Sequence, residues 1–182
     1  MSVLKLKKLV PPPSRPFELG TIEQWTSVES KLGLSLPCDY RDFVLTYGTG
    51  LFAGFYIIYS PFTVIKAANL CAQIETVCQQ ERDFKRDFPE AVPYQIYPER
   101  PGLLPWGGDE NGNYYYWLTD GAPDSWKVIS DEVRGDSFQE HGCCMTDFLY
   151  DVLTGKIEAL AGDYPKDQYL HFESWEKHAH RV

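Results

Sequence analysis

The chain has 182 residues, of which 43% are hydrophobic and 15% aromatic, and its formal net charge is −9. This composition excludes an intrinsically disordered chain and predicts one domain with a sizeable buried core. The acidity argues against a protein that neutralises nucleic-acid phosphates, whereas it suits either a basic protein partner or simple solubility.

The cysteines and the N-terminus favour a cytoplasmic location. Five cysteines without a regular framework predict reduced thiols: Cys38, Cys71, Cys78, Cys143 and Cys144. The basic N-terminus has no apolar run long enough for a signal peptide. No window approaches the roughly 20 apolar residues of a membrane span. We therefore expect a cytoplasmic protein without a membrane segment.

Residues 1–20 are expected to form a basic arm, in which Pro11 to Pro13 favour an extended stretch. A first helix is predicted to begin at Thr21, with Gln24 completing a capping box and Gly33 ending the helix. Helical spacing places four of its residues on one buried face: Ile22, Trp25, Val28 and Leu32.

Two more helices and a strand are predicted in the first half of the chain. A helix opening at Leu36-Pro37 and ending at Gly48 has a buried stripe of Tyr40, Phe43, Val44 and Tyr47. A strand is predicted over residues 51–59. A longer helix should run from Asn69 to Asp87, with an apolar stripe of Leu70, Ile74, Val77 and Phe84. Residues 93–105 are predicted to form a loop.

A hairpin centred on residues 103–126 is the strongest local signal in the sequence. Asn111-Gly112 predicts a two-residue turn between antiparallel strands, and a second turn follows at residues 120–124. Further on, we expect a strand at residues 126–129, a loop with a short strand over residues 133–140, and a strand at residues 169–172. Thr146 should cap a last helix whose buried stripe is Phe148, Leu149, Val152 and Leu153.

Helices and strands do not alternate along the chain as in a doubly wound fold. We therefore predict an α+β domain over residues 21–155, in which helices flank a mixed or antiparallel sheet. Residues 156–182 are expected to be a C-terminal extension that packs on the domain or trails from it.

Two patterns invite a metal or catalytic interpretation. Asp109, Asn111 and Asn113 resemble a calcium loop, but Tyr114 and Asp120 stand where an EF-hand needs glycine and glutamate, so a hairpin turn is favoured.

The second pattern is His141-Gly142-Cys143-Cys144, which suggests zinc or a Cys–His nucleophile. No second ligand pair accompanies it, and a structural role is favoured. The chain also lacks hydrolase, metalloprotease and phosphate-loop signatures. We expect no catalytic residue, no metal and no cofactor.

Acidic side chains concentrate between Gly102 and Glu140, where eight acids accompany only two bases. This part of the fold should present a negative surface that attracts a basic protein and rejects acidic ones. A merely solvated loop face explains the same pattern equally well.

Five segments, through their residues and through their order and spacing along the chain, resemble the SUKH superfamily of Smi/Knr-type domains. They are W-x-x-V-E from Trp25, residues 32–52, LLPWGGDENGN-YYYWL over residues 103–118, G-A-P-D-S-W from Gly121, and TDFLYDVLTG from Thr146. The resemblance implies an α+β fold. Bacterial members of this superfamily act as immunity proteins that bind toxins, often nucleases, and the fungal branch includes cell-wall regulators.

The resemblance supplies no catalytic residues. It implies an architectural role for six motif residues: Trp25, Gly48, Gly50, Gly107, Trp117 and Trp126. For contact with a partner we favour the residues of the acidic turns: Asp109, Glu110, Asn111, Asp120 and Asp124.

The leading hypothesis is thus an immunity protein that neutralises a basic toxin domain by stoichiometric binding, without direct nucleic-acid or membrane binding. A scaffold for endogenous proteins is the alternative, and a Cys–His hydrolase ranks last. The sequence leaves the toxin and the oligomeric state open.

Overall fold

The structure, a computed structural model, describes residues 3–131, 138–157 and 170–176. Its helices are α1 (Val3–Leu9), α2 (Ile22–Leu32), α3 (Cys38–Tyr47), α4 (Leu70–Asp87) and α5 (Met145–Leu153). Its strands are β1 (Gly50–Phe52), β2 (Tyr56–Ile58), β3 (Gln95–Ile96), β4 (Gly102–Asp109), β5 (Tyr114–Leu118), β6 (Lys127–Asp131), β7 (Phe138–His141) and β8 (Phe172–Ser174).

All eight of these strands belong to one sheet. Seven of them follow the order β7-β6-β5-β4-β2-β1-β8, and β3 lies off this path. Neighbours in this order pair antiparallel, and β3 adds a short parallel pairing to β4. The sheet is therefore mixed but mostly antiparallel. This arrangement confirms the predicted α+β class.

Helices cover both faces of the sheet. Tyr116 and Trp117 are neighbours in β5, so their side chains point to opposite faces. The Tyr116 hydroxyl donates to Glu81 of α4 over 2.7 Å. Trp117 packs edge-on against Tyr40 of α3, with ring centroids 5.1 Å apart. Hence α4 covers one face and α3 the other, where α1 and α5 also pack against α3.

The predicted capping signals of α2 and α4 are confirmed. Thr21 Oγ1 accepts from the Gln24 amide, and Gln24 Oε1 accepts from the Thr21 amide over 2.8 Å. Gly33 ends α2 with φ of 64°, and Asn69 caps α4. The predicted stripe of α3 is fully buried. Helical periodicity combined with capping residues therefore located α2, α3 and α4.

Two members of the predicted buried stripes are exposed. Ile22 is 80% exposed at the first position of α2, and Phe84 is 48% exposed near the end of α4. Phe84 instead packs against Phe88, with ring centroids 5.1 Å apart. Both residues lie near helix ends, where the apolar face runs past the edge of the core.

Two predicted elements differ in the structure. The strand predicted over residues 51–59 is a hairpin of β1 and β2, because Ala53 and Gly54 both have positive φ. The loop predicted over residues 93–105 contains β3 and the start of β4. Pro105 fits within β4 because the register shifts between Pro105 and Gly107, and a bulge tolerates a residue without an amide proton.

Thr146 does not cap the last helix. The helix α5 begins at Met145, with its N-cap position at Cys144, two residues before the predicted cap. The Thr146 amide and hydroxyl both donate to Asp39 Oδ2, at 2.9 and 3.0 Å. Thr146 therefore ties the start of α5 to the start of α3.

The N-terminal arm contains α1, which the sequence analysis did not predict. Leu6 and Val10 are fully buried, and the Tyr47 hydroxyl donates to the Val10 carbonyl oxygen over 2.8 Å. At the other end of the chain, β8 pairs with β1. Part of the strand predicted at residues 133–140, and the start of the one predicted at Tyr169, lie outside the described residues.

Gly48 is expected to be the glycine least tolerant of substitution at a helix end. Its φ of 70° and ψ of −152° lie in a region that essentially only glycine adopts, and a Cβ there would collide with the Phe17 carbonyl oxygen. Gly48→Ala should lower the free energy of unfolding by at least about 2 kcal/mol. Urea unfolding followed by circular dichroism measures this loss.

Gly33→Ala is the matched control, because Gly33 also has positive φ but has open space where a Cβ would lie. Its cost should be only about 1 kcal/mol, from backbone strain alone. Equal losses in the two variants would contradict the role of the Phe17 contact.

Glu81 is expected to make stability depend on pH. It is 6% exposed, and burial raises the pKa of its carboxyl, while the hydrogen bond from Tyr116 opposes part of that rise. A raised pKa means that the folded state favours the protonated form. The contribution of Glu81 to the free energy of unfolding is therefore full below the ordinary pKa of 4.5, and it is lost as the pH rises through the raised pKa.

Glu81→Gln keeps an acceptor oxygen for Tyr116 but carries no charge. Its stability relative to the wild type should therefore rise between about pH 4 and pH 8, as measured by urea unfolding at each pH. The control Glu75→Gln removes an exposed carboxylate from the same helix and should show no such trend. Parallel profiles for the Glu81 variant and the wild type would refute the assignment.

Candidate functional site

The turn between β4 and β5 is organised by the carboxylate of Asp109. Asp109 Oδ1 accepts from the amides of Asn111 and Asn113 at 2.9 and 3.0 Å. Its Oδ2 accepts from Asn113 Nδ2 at 2.9 Å and from the Tyr115 hydroxyl at 2.6 Å. Asp109 is only 7% exposed. The Asp109 carboxylate, which was predicted to contact a partner, thus points inward and holds the turn.

This β4–β5 turn contains four residues, 110–113, rather than the predicted two. The Gly112 amide donates to the Asp109 carbonyl oxygen over 3.0 Å, and Gly112 has φ of 87°. Glu110 and Asn111 are exposed at its tip. The Glu110 amide donates to the Phe55 carbonyl oxygen, so the turn rests on the β1–β2 hairpin.

Asp120 and Asp124 lie in the β5–β6 turn (residues 119–126), at the other end of β5. Five residues of strand separate the two turns, which places them roughly 20 Å apart. Both side chains are exposed. The predicted contact residues therefore form two separate acidic groups, one at each turn.

Asp124 also has a structural contact. Its Oδ1 accepts from the Cys38 amide over 2.7 Å, at the first residue of α3. Pro37 precedes this residue and makes no side-chain cap. Asp124 thus caps α3 from a distant part of the chain, and the amide group it satisfies is one that a helix start leaves open.

A cavity of about 320 Å³ opens beside Asp124, between the first residues of α3 and α5. We call it the α3–α5 cavity. Its lining residues come from four segments of the chain: Val3, Leu4, Cys38, Asp39, Asp42, Asp124 and Cys144. Of these, only Asp124 was predicted as a contact residue. No local pattern marks the others, because tertiary packing alone brings the four segments together.

The residues around His141 do not form a reactive Cys–His pair. His141 Nε2 lies 2.9 Å from Ser130 Oγ, and the His141 ring packs against Phe148. Burial raises the pKa of Cys143 to about 12, and burial also raises the pKa of Cys144. Since the thiolate is the nucleophile, thiols that stay protonated at neutral pH are poorly suited to attack a substrate.

The metal interpretations receive no support from the described part of the chain. Among the residues of that part, no group of three or more His, Cys, Asp or Glu side chains is placed to hold a metal ion. At the suspected calcium loop, both Asp109 oxygens already accept hydrogen bonds. None of the described helices is both long and apolar enough to cross a membrane.

The six motif residues lie inside the fold or at its turns. The three tryptophans are at most 4% exposed. The Trp25 indole donates to the Leu19 carbonyl oxygen over 3.0 Å, and that of Trp126 donates to the Gly121 carbonyl oxygen over 3.2 Å. Gly48 ends α3, whereas Gly50 in β1 and Gly107 in β4 closely face neighbouring strands.

Comparison with known proteins identifies the family. A family model described as SMI1-KNR4 cell-wall (SUKH_6) matches residues 22–141, which run from α2 to β7 and make up about two thirds of the chain. No curated protein and no solved structure is significantly similar to the chain. The matched region contains the central hairpin, both acidic turns and the α3 side of the α3–α5 cavity. The chain therefore belongs to the SMI1-KNR4 family of the SUKH superfamily.

Proposed function

We propose that this protein is a non-enzymatic immunity protein that acts in the cytoplasm and neutralises a basic toxin domain by stoichiometric binding. The family match over residues 22–141 carries the proposal, because SUKH proteins are generally non-catalytic and bind protein partners.

The chemistry of the surface supports a basic partner. The net charge is −9, and Glu110, Asp120 and Asp124 are exposed at the two turns beside the central strands. Carboxylates at exposed turns attract a positively charged protein over a distance and speed its association. Asp109 supports this surface indirectly, since its buried carboxylate fixes the turn that presents Glu110.

Binding to endogenous proteins is the second candidate function, and the family description favours it because it names the cell wall. The two functions differ in the partner. An immunity protein binds one toxin tightly, whereas a regulatory scaffold binds proteins of its own cell. Capture of partners from lysate that also contains inactivated candidate toxin domains separates the two.

Inhibition of the toxin should be stoichiometric. When this protein is added to a captured toxin, toxin activity should fall in proportion and reach its minimum at a molar ratio of one to one. Light scattering of the complex checks the same ratio. Complete inhibition at a small fraction of that ratio would indicate catalytic destruction of the toxin and would contradict a binding mechanism.

Charge reversal should identify which acidic turn faces the toxin. A standard interface covers roughly 800 Å² on each partner, and the two turns lie at opposite ends of β5. We expect Asp120→Lys to lower the association rate about tenfold at low salt, and Glu110→Lys to change it less. Stopped-flow or surface-based kinetics at two salt concentrations measures both rates.

Glu75→Lys is the control, since this exposed residue lies on α4 and belongs to neither acidic turn. It makes the same change in net charge as the two test variants. If all three variants associate at the wild-type rate, then neither acidic turn contacts the toxin.

A further inference from the structure

We propose that the α3–α5 cavity receives one lysine or arginine side chain of the partner protein. The inference rests on the proposed function, because it assumes a basic protein partner, and it assigns the place where that partner is anchored.

The lining of the cavity matches a side chain that is apolar along its length and cationic at its tip. Val3 and Leu4 contribute aliphatic surface, and Leu4 is 64% exposed. Cys38 and Cys144 add two thiols whose raised pKa values keep them uncharged. Lysine and arginine bury their methylene stems on such surfaces while the charged head remains near polar groups.

Three carboxylates supply the charge: Asp39, Asp42 and Asp124. Within the described ranges, no ion pair includes any of the three. Three of the seven lining residues are carboxylates and none is a lysine or arginine, while Arg41 of α3 lies close enough to lower the pKa of Cys38. This charge favours a cation and disfavours an anionic ligand.

The carboxylates are held in place before any ligand arrives. Asp39 Oδ2 accepts from the amide and hydroxyl of Thr146, and Asp124 Oδ1 accepts from the Cys38 amide. These bonds also occupy amides at the starts of α3 and α5, which otherwise attract anions. Each of these two carboxylates accepts these bonds through one oxygen, and Asp42 adds an exposed carboxylate.

The size of the cavity limits the occupant. At about 320 Å³ it lies at the lower end of the range for small-molecule sites, so it suits one side chain better than a drug-sized ligand. A cationic side chain held by several carboxylates could also act as an interface anchor, since few residues supply most of the binding free energy of an interface.

Part of the cavity wall lies outside the region that defines the family. The family match covers residues 22–141, whereas Val3, Leu4 and Cys144 lie beyond it. The three carboxylates thus belong to the matched region, and the aliphatic side chains of Val3 and Leu4 come from the segment before it. On this inference, α1 helps to select the partner in addition to packing on the core.

Side-chain analogues test the cavity without any toxin. We would titrate n-butylammonium and n-butylguanidinium into the ¹⁵N-labelled full chain, and record amide shifts by NMR. We expect saturable shifts at residues 3–5, 38–42, 124 and 144, and none there with n-butanol or butyrate. Asp42→Asn should weaken the affinity about threefold or more, since it removes one of three nearby charges.

The matched control is Glu75→Gln, which removes a carboxylate from the other face of the sheet. Thermal unfolding verifies that both variants fold. The proposal is overturned if the cations shift other residues only, if n-butanol acts equally, or if Asp42→Asn binds like the wild type.

A captured toxin provides the second test. Asp42→Lys should raise its dissociation rate at least about tenfold, whereas Glu75→Lys should leave that rate unchanged. If the toxin is neutralised normally by Asp42→Lys, the cavity assignment fails and the immunity function stands. If no toxin is captured but the analogues bind in the cavity, the immunity function fails and the cation site stands.

Discussion

The antiparallel pairing of β4 with β5 is the interaction on which the rest of the structure depends. Five consecutive aromatic or apolar residues in β5 alternate between the two faces of the sheet, so each face offers a surface that a helix must cover. Tyr116 meets α4 and Trp117 meets α3. Because Asp109 fixes the turn that joins the two strands, one buried carboxylate sets the register from which both helical layers follow.

This arrangement hides the central strands from a partner. Both of their faces are covered by helices, so the accessible polar positions are the turns, the helix ends and the outer faces of the helices, where Glu75 of α4 lies exposed. The two acidic turns project from opposite ends of β5. Of these two turns, the β5–β6 turn lies beside the α3–α5 cavity, because Asp124 reaches across to the start of α3. A partner that engages this end contacts groups that the fold already holds in position.

The sequence predicted the elements whose signals are local. Capping residues and helical periodicity located α2, α3 and α4, and Asn111-Gly112 marked the central hairpin. It could not predict α1, since a seven-residue helix is stabilised by burying Leu6 against the core rather than by its own propensity. Likewise, the sequence placed Asp109 in an acidic turn that was predicted to contact a partner. It could not predict that the side chain points inward, because this orientation depends on hydrogen bonds from four backbone and side-chain groups. The α3–α5 cavity has no sequence signature at all.

If the α3–α5 cavity receives a partner side chain as proposed, stability and partner choice depend on different residues around it. Asp39 and Asp124 hold helix starts, so replacing either would disturb the fold as well as the charge of the site. Leu4 and Asp42 lie exposed at the rim, away from these helix-start bonds. Substitutions at these two positions change the shape and charge that a partner meets at little cost in folding free energy. A domain built in this way can keep its fold while the side chains that a partner meets change.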